Sequence, residues 1–300
     1  MKTDALLKQI HSERLHYSTG ELLGADDFRD EQTYHRRQLA RALLYLHGSG
    51  SVAGLRVRTR HLAGQNGSPD EVELEVEPGL AVDRAGRIIE VPREACLRLR
   101  RWFEFIGARL PDSMELDAGD LRAAWRADGS AAGGAIVADV FLAFHPCERG
   151  YTPAFASGPF DALDASQPSR VRDAYELCLV PRFESDADLP LPFDAWSGIQ
   201  GGTPEERATA AREASLDAWE ALSLPPSTHV GGWHENPSSI DPTAVLLARM
   251  RLPAGPAPNA ASAPLPDWSA GTWADPNPHI DNSVRNFLFP ASALRRIADD

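Results

Sequence analysis

The chain has 300 residues, of which 43% are hydrophobic and 24% are charged, and its formal net charge is −13. This composition is typical of a globular protein with one large domain or two small ones. The acidic balance argues against nucleic acid and anionic membranes as partners, because both bind positive surfaces, and favours a protein partner. No apolar run could span a bilayer, and the first residues lack the apolar segment of a secretory signal, so we expect a cytoplasmic protein.

The first predicted element is a helix from Ala25 to Leu46. Asp26 or Asp27 can cap its start by accepting backbone N–H bonds, and His47-Gly48 supplies a residue that tolerates positive φ at its end. A near 3.6-residue spacing of apolar residues predicts one packing face. The residues at that spacing are Phe28, Glu31 or Gln32, Leu39, Leu43 and Leu46.

Arginines cluster on this helix and on the strand predicted after it. They could bind an acidic neighbour, and we treat those of the helix as interface candidates; a solvated helix face and strand edge is the other interpretation. The arginines are Arg36, Arg37 and Arg41 on the helix, and Arg56, Arg58 and Arg60 on the strand.

Short β segments follow, over residues 51–60, 71–77 and 87–91. The turn at residues 84–86 predicts a hairpin that places Ala81 and Val82 opposite Ile88 and Ile89. Between the helix and the first strand, glycines at positions 48, 50 and 54 permit close approach of backbone, which predicts a tightly packed joint.

The second half begins with an apolar strand, Ala135 to Phe144, which we expect to be buried on both faces beside Tyr175 to Val180. A helix near residues 203–222, a strand from Ala244 to Leu252, a long loop and a final helix from Ala291 follow. The fold class is therefore predicted as α+β: an N-terminal helix plus small β module, then a larger β-rich domain with a helical insert and long loops. The predicted divisions are residues 1–107 for the docking module, 108–134 for an acidic, glycine-rich linker or excursion, and 135–300 for the larger domain.

Motifs that carry chemistry are scarce in this sequence. It has no GxSxG, HExxH or GxxxxGK[ST] pattern. His229 and His234 with Glu235 come nearest to a metal cluster, but the glycines between them leave the geometry unspecified. The three cysteines are spaced for neither a disulfide framework nor a metal knuckle. We therefore predict no enzyme and no catalytic, cofactor-binding or metal site.

Tryptophans gather in the second half of the chain. Trp219 falls on the predicted helix, where a core position is expected. Trp233, Trp268 and Trp273 lie among glycine, proline and aspartate in loops, where aromatic side chains often anchor interfaces. We predict these three as interface residues.

Two segments, Leu15 to Val57 and Leu74 to Pro92, resemble a family of uncharacterised proteins from phage-tail-like and contractile-injection-system gene clusters. The shared pattern is Asp-Phe-x-x-Glu-Gln-x-Tyr, then Leu-His-Gly-x-Gly-x-Val-x-Gly-Leu-x-Val, then Pro-Gly-x-Ala-x-Asp-x-x-Gly-Arg. Residues 168–181 match more loosely. The chain departs from the pattern at Gly24-Ala25, where Leu-Thr is common, and in inserts at residues 108–134 and 184–236.

The resemblance implies a non-catalytic structural component of a contractile particle, baseplate-associated or at a fibre-attachment position. Its partners would be other particle proteins, with a homo-oligomer or several copies per particle and no nucleic acid or membrane. It would be assembled in the cytoplasm into a particle that can be released. A cap or terminator at the far end of the tube is one alternative. A carbohydrate-binding module or hydrolase, with loop tryptophans and His234 lining a cleft, is the other.

Overall fold

The computed structural model describes residues 4, 6, 13–64, 69–104, 117–128, 130–153, 166–194, 196–200, 202–222, 235–236, 240–273 and 279–298. Within these ranges the protein is α+β, as predicted. The helices are α1 (Ala25–His47), α2 (Leu99–Glu104), α3 (Ala118–Ala124), α4 (Pro204–Ala221) and α5 (Ala291–Ala298). The strands are β1 (Gly50–Gly54), β2 (Val57–Leu62), β3 (Glu71–Val76), β4 (Gly79–Val82), β5 (Ile88–Val91), β6 (Ala95–Arg98), β7 (Trp125–Arg126), β8 (Ala135–Pro153), β9 (Ser166–Pro181), β10 (Val245–Gly255), β11 (Leu265–Pro266) and β12 (Ile280–Asp281).

The ends of α1 follow from its capping residues. Gly24 is the N-cap, and its N–H donates to the Asp27 carboxylate at 2.7 Å. At the other end, Gly48 has a φ of +81° and its N–H donates to the Leu44 carbonyl at 2.8 Å. The predicted helix and its glycine stop are thus confirmed, with Asp27 acting from inside the first turn.

The predicted packing face of α1 is wrong. Phe28, Leu39 and Leu46 are 50%, 55% and 76% exposed and Leu43 is half-buried, whereas the buried residues of the helix are Ala40 and Leu44. The reason is a close contact at Ala40, whose carbonyl oxygen would lie only 2.0 Å from a Cβ added at position 86. Backbone so near requires glycine at position 86, and the contact brings the side of α1 that carries Ala40 and Leu44 against the rest of the protein.

The N-terminal strands form two small antiparallel sheets, β1-β4-β5 and β2-β3-β6. Ala81 pairs with Ile89 and Val82 with Ile88, which confirms the predicted hairpin register. The strand predicted over residues 51–60 is divided between the two sheets. The chain turns at Leu55, whose φ of +57° lies outside the strand region.

The larger sheet is built around β8. Its first half pairs on one side with β10, from Ala135 to Leu142, and on the other with β9, where Phe144 lies opposite Tyr175. The neighbour predicted for this strand is confirmed. Residues 135–144 are buried throughout, as their apolar run indicated. One hydrophobic core joins side chains of β3 and β5 to those of β8 and β10, and the boundary predicted at residues 108–134 stays a prediction.

The helix predicted near residues 203–222 is α4, and its start has reciprocal caps. The Thr203 N–H donates to Glu206 at 2.7 Å, and the Glu206 N–H donates to the Thr203 hydroxyl at 3.3 Å. Among the described residues, no helix is both long enough and apolar enough to cross a membrane.

Candidate assembly interface

The strands β8 and β9 continue as a two-stranded ribbon beyond the core. The neighbouring strand β10 begins at Val245, opposite Leu142, while β8 and β9 stay paired as far as Pro153 and Ser166. We call residues 145–153 and 166–174 the arm. At about 3.3 Å per residue it extends about 30 Å. In the described part of the chain, no other strand pairs with it.

The arm is exposed over most of its surface. From Glu148 to its described end, every residue of β8 is exposed, and its partners on β9 are exposed apart from the half-buried Pro168. Tyr151 and Val171 are each 64% exposed, although both side chains would gain from burial. The arm therefore offers open strand edges and exposed apolar side chains together.

A buried ionic cluster holds the three strands together within the core, six residues before the arm begins at His145. Asp139 on β8 accepts from Arg182 Nε at 2.6 Å, and from Arg249 Nε and Nη2 on β10 at 2.7 and 3.0 Å. Arg249 also donates to the Pro190 carbonyl at 2.8 Å, and Arg182 to the carbonyl of Glu235. Asp139 is fully buried, so these charge-assisted bonds fix the register of β9, β8 and β10 strongly.

A second ionic cluster lies at the β4–β5 turn. The carboxylate of Asp83 accepts from the N–H groups of Ala85 and Arg87 at 2.8 Å each, and from Arg87 Nε at 2.6 Å. Arg87 also donates to Asp4 at 3.1 Å and to the Thr243 hydroxyl at 2.7 Å. The Asp-x-x-Gly-Arg part of the sequence motif therefore ties the hairpin to the chain start and to the approach to β10.

The glycines of the motif are positions of close backbone approach. A Cβ at Gly86 would meet the Ala40 carbonyl oxygen at 2.0 Å, and one at Gly50 would meet the Asn286 carbonyl oxygen at 2.5 Å. The first contact docks α1 on the β4–β5 turn. The second lets residues 286–288 pair with β1, where the Ser51 N–H donates to Asn286 at 2.9 Å. The predicted tight joint is confirmed.

The candidate arginines Arg36 and Arg41 of α1 contact other residues of the chain. Arg36 donates to Asp4 at 3.2 Å, and the guanidinium of Arg41 lies 5.3 Å from the centre of the Trp219 ring. Partial burial, together with the charge of Arg41, lowers the pKa of Arg37. The interface role of these three residues stays a prediction.

The arginines of β2 meet glutamates of the same chain. Arg58 pairs with Glu75 at 3.2 Å, and Arg60 pairs with Glu73 at 3.0 Å. Both carboxylates are buried beneath the arginines. The acidic neighbour considered for this strand is therefore β3 of the same molecule.

The tryptophans divide between core and surface differently from the prediction. Trp219 is 63% exposed, so its expected core position is wrong. Trp273 is 4% exposed and donates to the Asp267 carbonyl at 2.7 Å, so it packs in the core, which corrects its assignment to an interface. Trp268 is half-buried and stacks on Trp273, with the centres of the two rings 6.5 Å apart. Trp233 lies outside the described residues.

His229, His234 and Glu235 come nearest to a metal cluster in the sequence, and the structure describes only Glu235 of the three. Its buried carboxylate forms an ion pair with Arg84 and accepts from the Phe193 N–H at 3.3 Å. Its ion pair makes it a structural group here. His229 and His234 lie outside the described residues, and within the described ones no three His, Cys, Asp or Glu side chains form a possible metal site.

A cleft of about 420 Å³ lies between the end of α1, the residues Phe193, Asp194 and Trp196, and α5. Phe193, Trp196, Leu44 and Leu294 give it a largely apolar lining. Among the described lining residues the carboxylates are limited to Asp194, whereas hydrolysis of a glycoside ordinarily uses two. The geometry of this cleft gives no support to the hydrolase alternative.

Sequence reasoning missed the arm, which contains none of the predicted interface residues. Residues 145–153 and 166–174 have no hydrophobic alternation that would mark them as strands, so the sequence carried no signal for the arm. No protein-family model matches the sequence, and no curated protein matches it either.

Proposed function

We propose that this chain is a non-catalytic structural subunit of a contractile, phage-tail-like particle, at a baseplate-associated or fibre-attachment position. The observation that carries the proposal is the arm, a ribbon about 30 Å long whose edges are open in the described part of the chain. An isolated two-stranded ribbon is only marginally stable in water, and an open strand edge is a template for pairing with another chain. A neighbouring subunit would pair with the open strand edges of the arm and would stabilise the ribbon by packing against it.

The root of the arm supports a docking role. Asp139 and its two arginines hold β8 to its neighbours within the core, six residues before the arm begins at His145, and all three side chains are buried. A ribbon anchored in this way leaves the core in a defined direction. Such an element can reach a fixed site on a neighbour at a lower entropic cost than a loose loop.

The class of particle comes from the resemblance over residues 15–57 and 74–92. Residues that carry it have internal structural roles: Gly86 seats α1, Gly50 seats the C-terminal segment, and Asp83 with Arg87 ties the hairpin to distant parts of the chain. A scaffold fixed by such internal contacts suits a structural subunit, whose neighbours recognise its shape.

The arm can be removed to test the proposal. His145 lies opposite Ala174, so residues 146–173 can be replaced by an Asn-Gly turn that closes the shortened hairpin. We expect this variant to fold, as judged by circular dichroism and cooperative urea unfolding, and to be absent from particles purified from the native host. Incorporation at the wild-type level would contradict the proposal.

A milder pair of variants controls for any effect of the deletion on folding. Tyr151→Ala with Val171→Ala removes exposed apolar side chains from the arm. Leu22→Ala with Leu216→Ala removes residues that are 95% and 73% exposed elsewhere. The arm pair should reduce incorporation and the matched pair should leave it unchanged, as measured by quantitative mass spectrometry of purified particles.

A further inference from the structure

The charges of the arm are divided between its two faces. Residues that pair across antiparallel strands lie on the same face, and successive residues of a strand alternate between faces. Arg149 pairs with Arg170, and Arg172 pairs with residue 147, so the three arginines share one face and all are exposed. Glu148 and Asp173 lie on the opposite face. The arm therefore presents one strongly basic face.

This basic face has no counter-charge of its own. Within the described ranges, Arg149, Arg170 and Arg172 take part in no ion pair. Arg149 and Arg170 are direct cross-strand partners, and like charges in that position repel each other. By contrast, Arg58 and Arg60 on β2 lie over glutamates of the neighbouring strand. An anionic surface bound to the arm would remove the repulsion.

We infer that the arginine face of the arm docks on an acidic surface of a second copy of this chain. The inference rests on the proposed function, and it names the neighbour that the arm contacts. Guanidinium groups form bidentate bonds with carboxylates, and three of them on one rigid ribbon can engage several carboxylates at once.

Charge complementarity selects a second copy as the occupant. The chain has 43 acidic and 30 basic residues, so its surface away from the arm is strongly acidic. Exposed carboxylates occur on α1 at Asp26 and Asp30, and on α4 at Glu205 and Glu213. The same charge opposes nucleic acid, because the acidic body would repel the phosphates that the arm attracts. A basic arm on an acidic body of the same kind gives a head-to-tail contact, which closes into a ring or continues as a stack.

Sedimentation velocity of the purified full-length chain tests the inference, at about 50 mM and about 500 mM NaCl because surface charges are screened over that range. We expect concentration-dependent association at low salt that weakens at high salt. The triple variant Arg149→Glu, Arg170→Glu and Arg172→Glu should raise the dissociation constant about tenfold or more. A matched variant with Arg56→Glu, Arg93→Glu and Arg212→Glu changes the net charge equally on exposed positions outside the arm, and it should associate more tightly than the arm variant.

Two results would overturn the inference. One is a wild-type chain that stays monomeric at both salt concentrations; the other is an arm variant that associates as tightly as the matched one. Measuring whether each variant is incorporated into the native particle distinguishes failure of this inference from failure of the proposed function. A monomeric wild-type chain whose arm variant is excluded from the particle keeps the structural role and assigns the arm to a different acidic protein.

Discussion

Asp139 shows at the residue scale how β8 is held in the core, six residues before the arm begins. It lies between Arg182 and Arg249, and all three are buried, so a neutral amide at this position leaves two guanidinium groups without their carboxylate. We expect Asp139→Asn to lower the free energy of unfolding by about 3–5 kcal/mol in urea titrations. The exposed pair of Asp26 with Arg29 is the control, and Asp26→Asn should cost less than about 1 kcal/mol. Equal losses in the two variants would show that the buried cluster does not hold the strands.

The cysteines report on burial beside the arm. Burial, with smaller contributions from Glu176 and Asp241, raises the pKa of the Cys178 thiol to about 12, whereas Cys96 is exposed. Because the thiolate is the reactive form, Cys178 should resist iodoacetamide at pH 8 in native buffer while Cys96 reacts. Peptide mapping by mass spectrometry distinguishes the two sites, and both should react in urea. If Cys178 were labelled in native buffer as fast as Cys96, the C-terminal part of β9 around Cys178 would have to open readily.

At the scale of elements, the contact between α1 and the β4–β5 turn depends on a glycine. Gly86 has a φ of +78°, and a Cβ there would meet the Ala40 carbonyl oxygen at 2.0 Å. Gly20 has a φ of +89° with nothing within 4 Å, so Gly20→Ala isolates the cost of the backbone conformation. We expect Gly20→Ala to cost about 1–2 kcal/mol and Gly86→Ala to cost at least about 2 kcal/mol more.

Urea unfolding followed by circular dichroism measures both glycine variants. A Gly86→Ala chain as stable as Gly20→Ala would show that α1 can shift away from the turn without loss. A larger cost at position 86 alone supports close docking as the reason for the Gly-Arg pair in the motif.

The elements that could be predicted from sequence are those with local causes. Both ends of α1 and the start of α4 depend on capping groups within a few residues, and the β4–β5 register depends on its own turn. The packing face of α1 could not be predicted, because it depends on a turn 46 residues from Ala40 in the chain. The arm could not be predicted for a different reason. Its strands are exposed on both faces, so they lack the hydrophobic pattern that marks a strand.

At the scale of the whole molecule, charge and shape point toward assembly. The chain is strongly acidic, yet the arm presents a face of three arginines away from the core. One shared core joins the N-terminal sheets to β8 and β10, and β8 continues from this core into the arm. These features suit a subunit that is held by its neighbours.

Cryo-electron microscopy of tail-like particles purified from the native host tests the structural role most directly. We predict several copies of this chain in the particle, each with its arm against a neighbouring subunit, and their location would decide between the baseplate and the cap end of the tube. Particles that lack the chain, or copies whose arms extend into solvent, would contradict the proposed role.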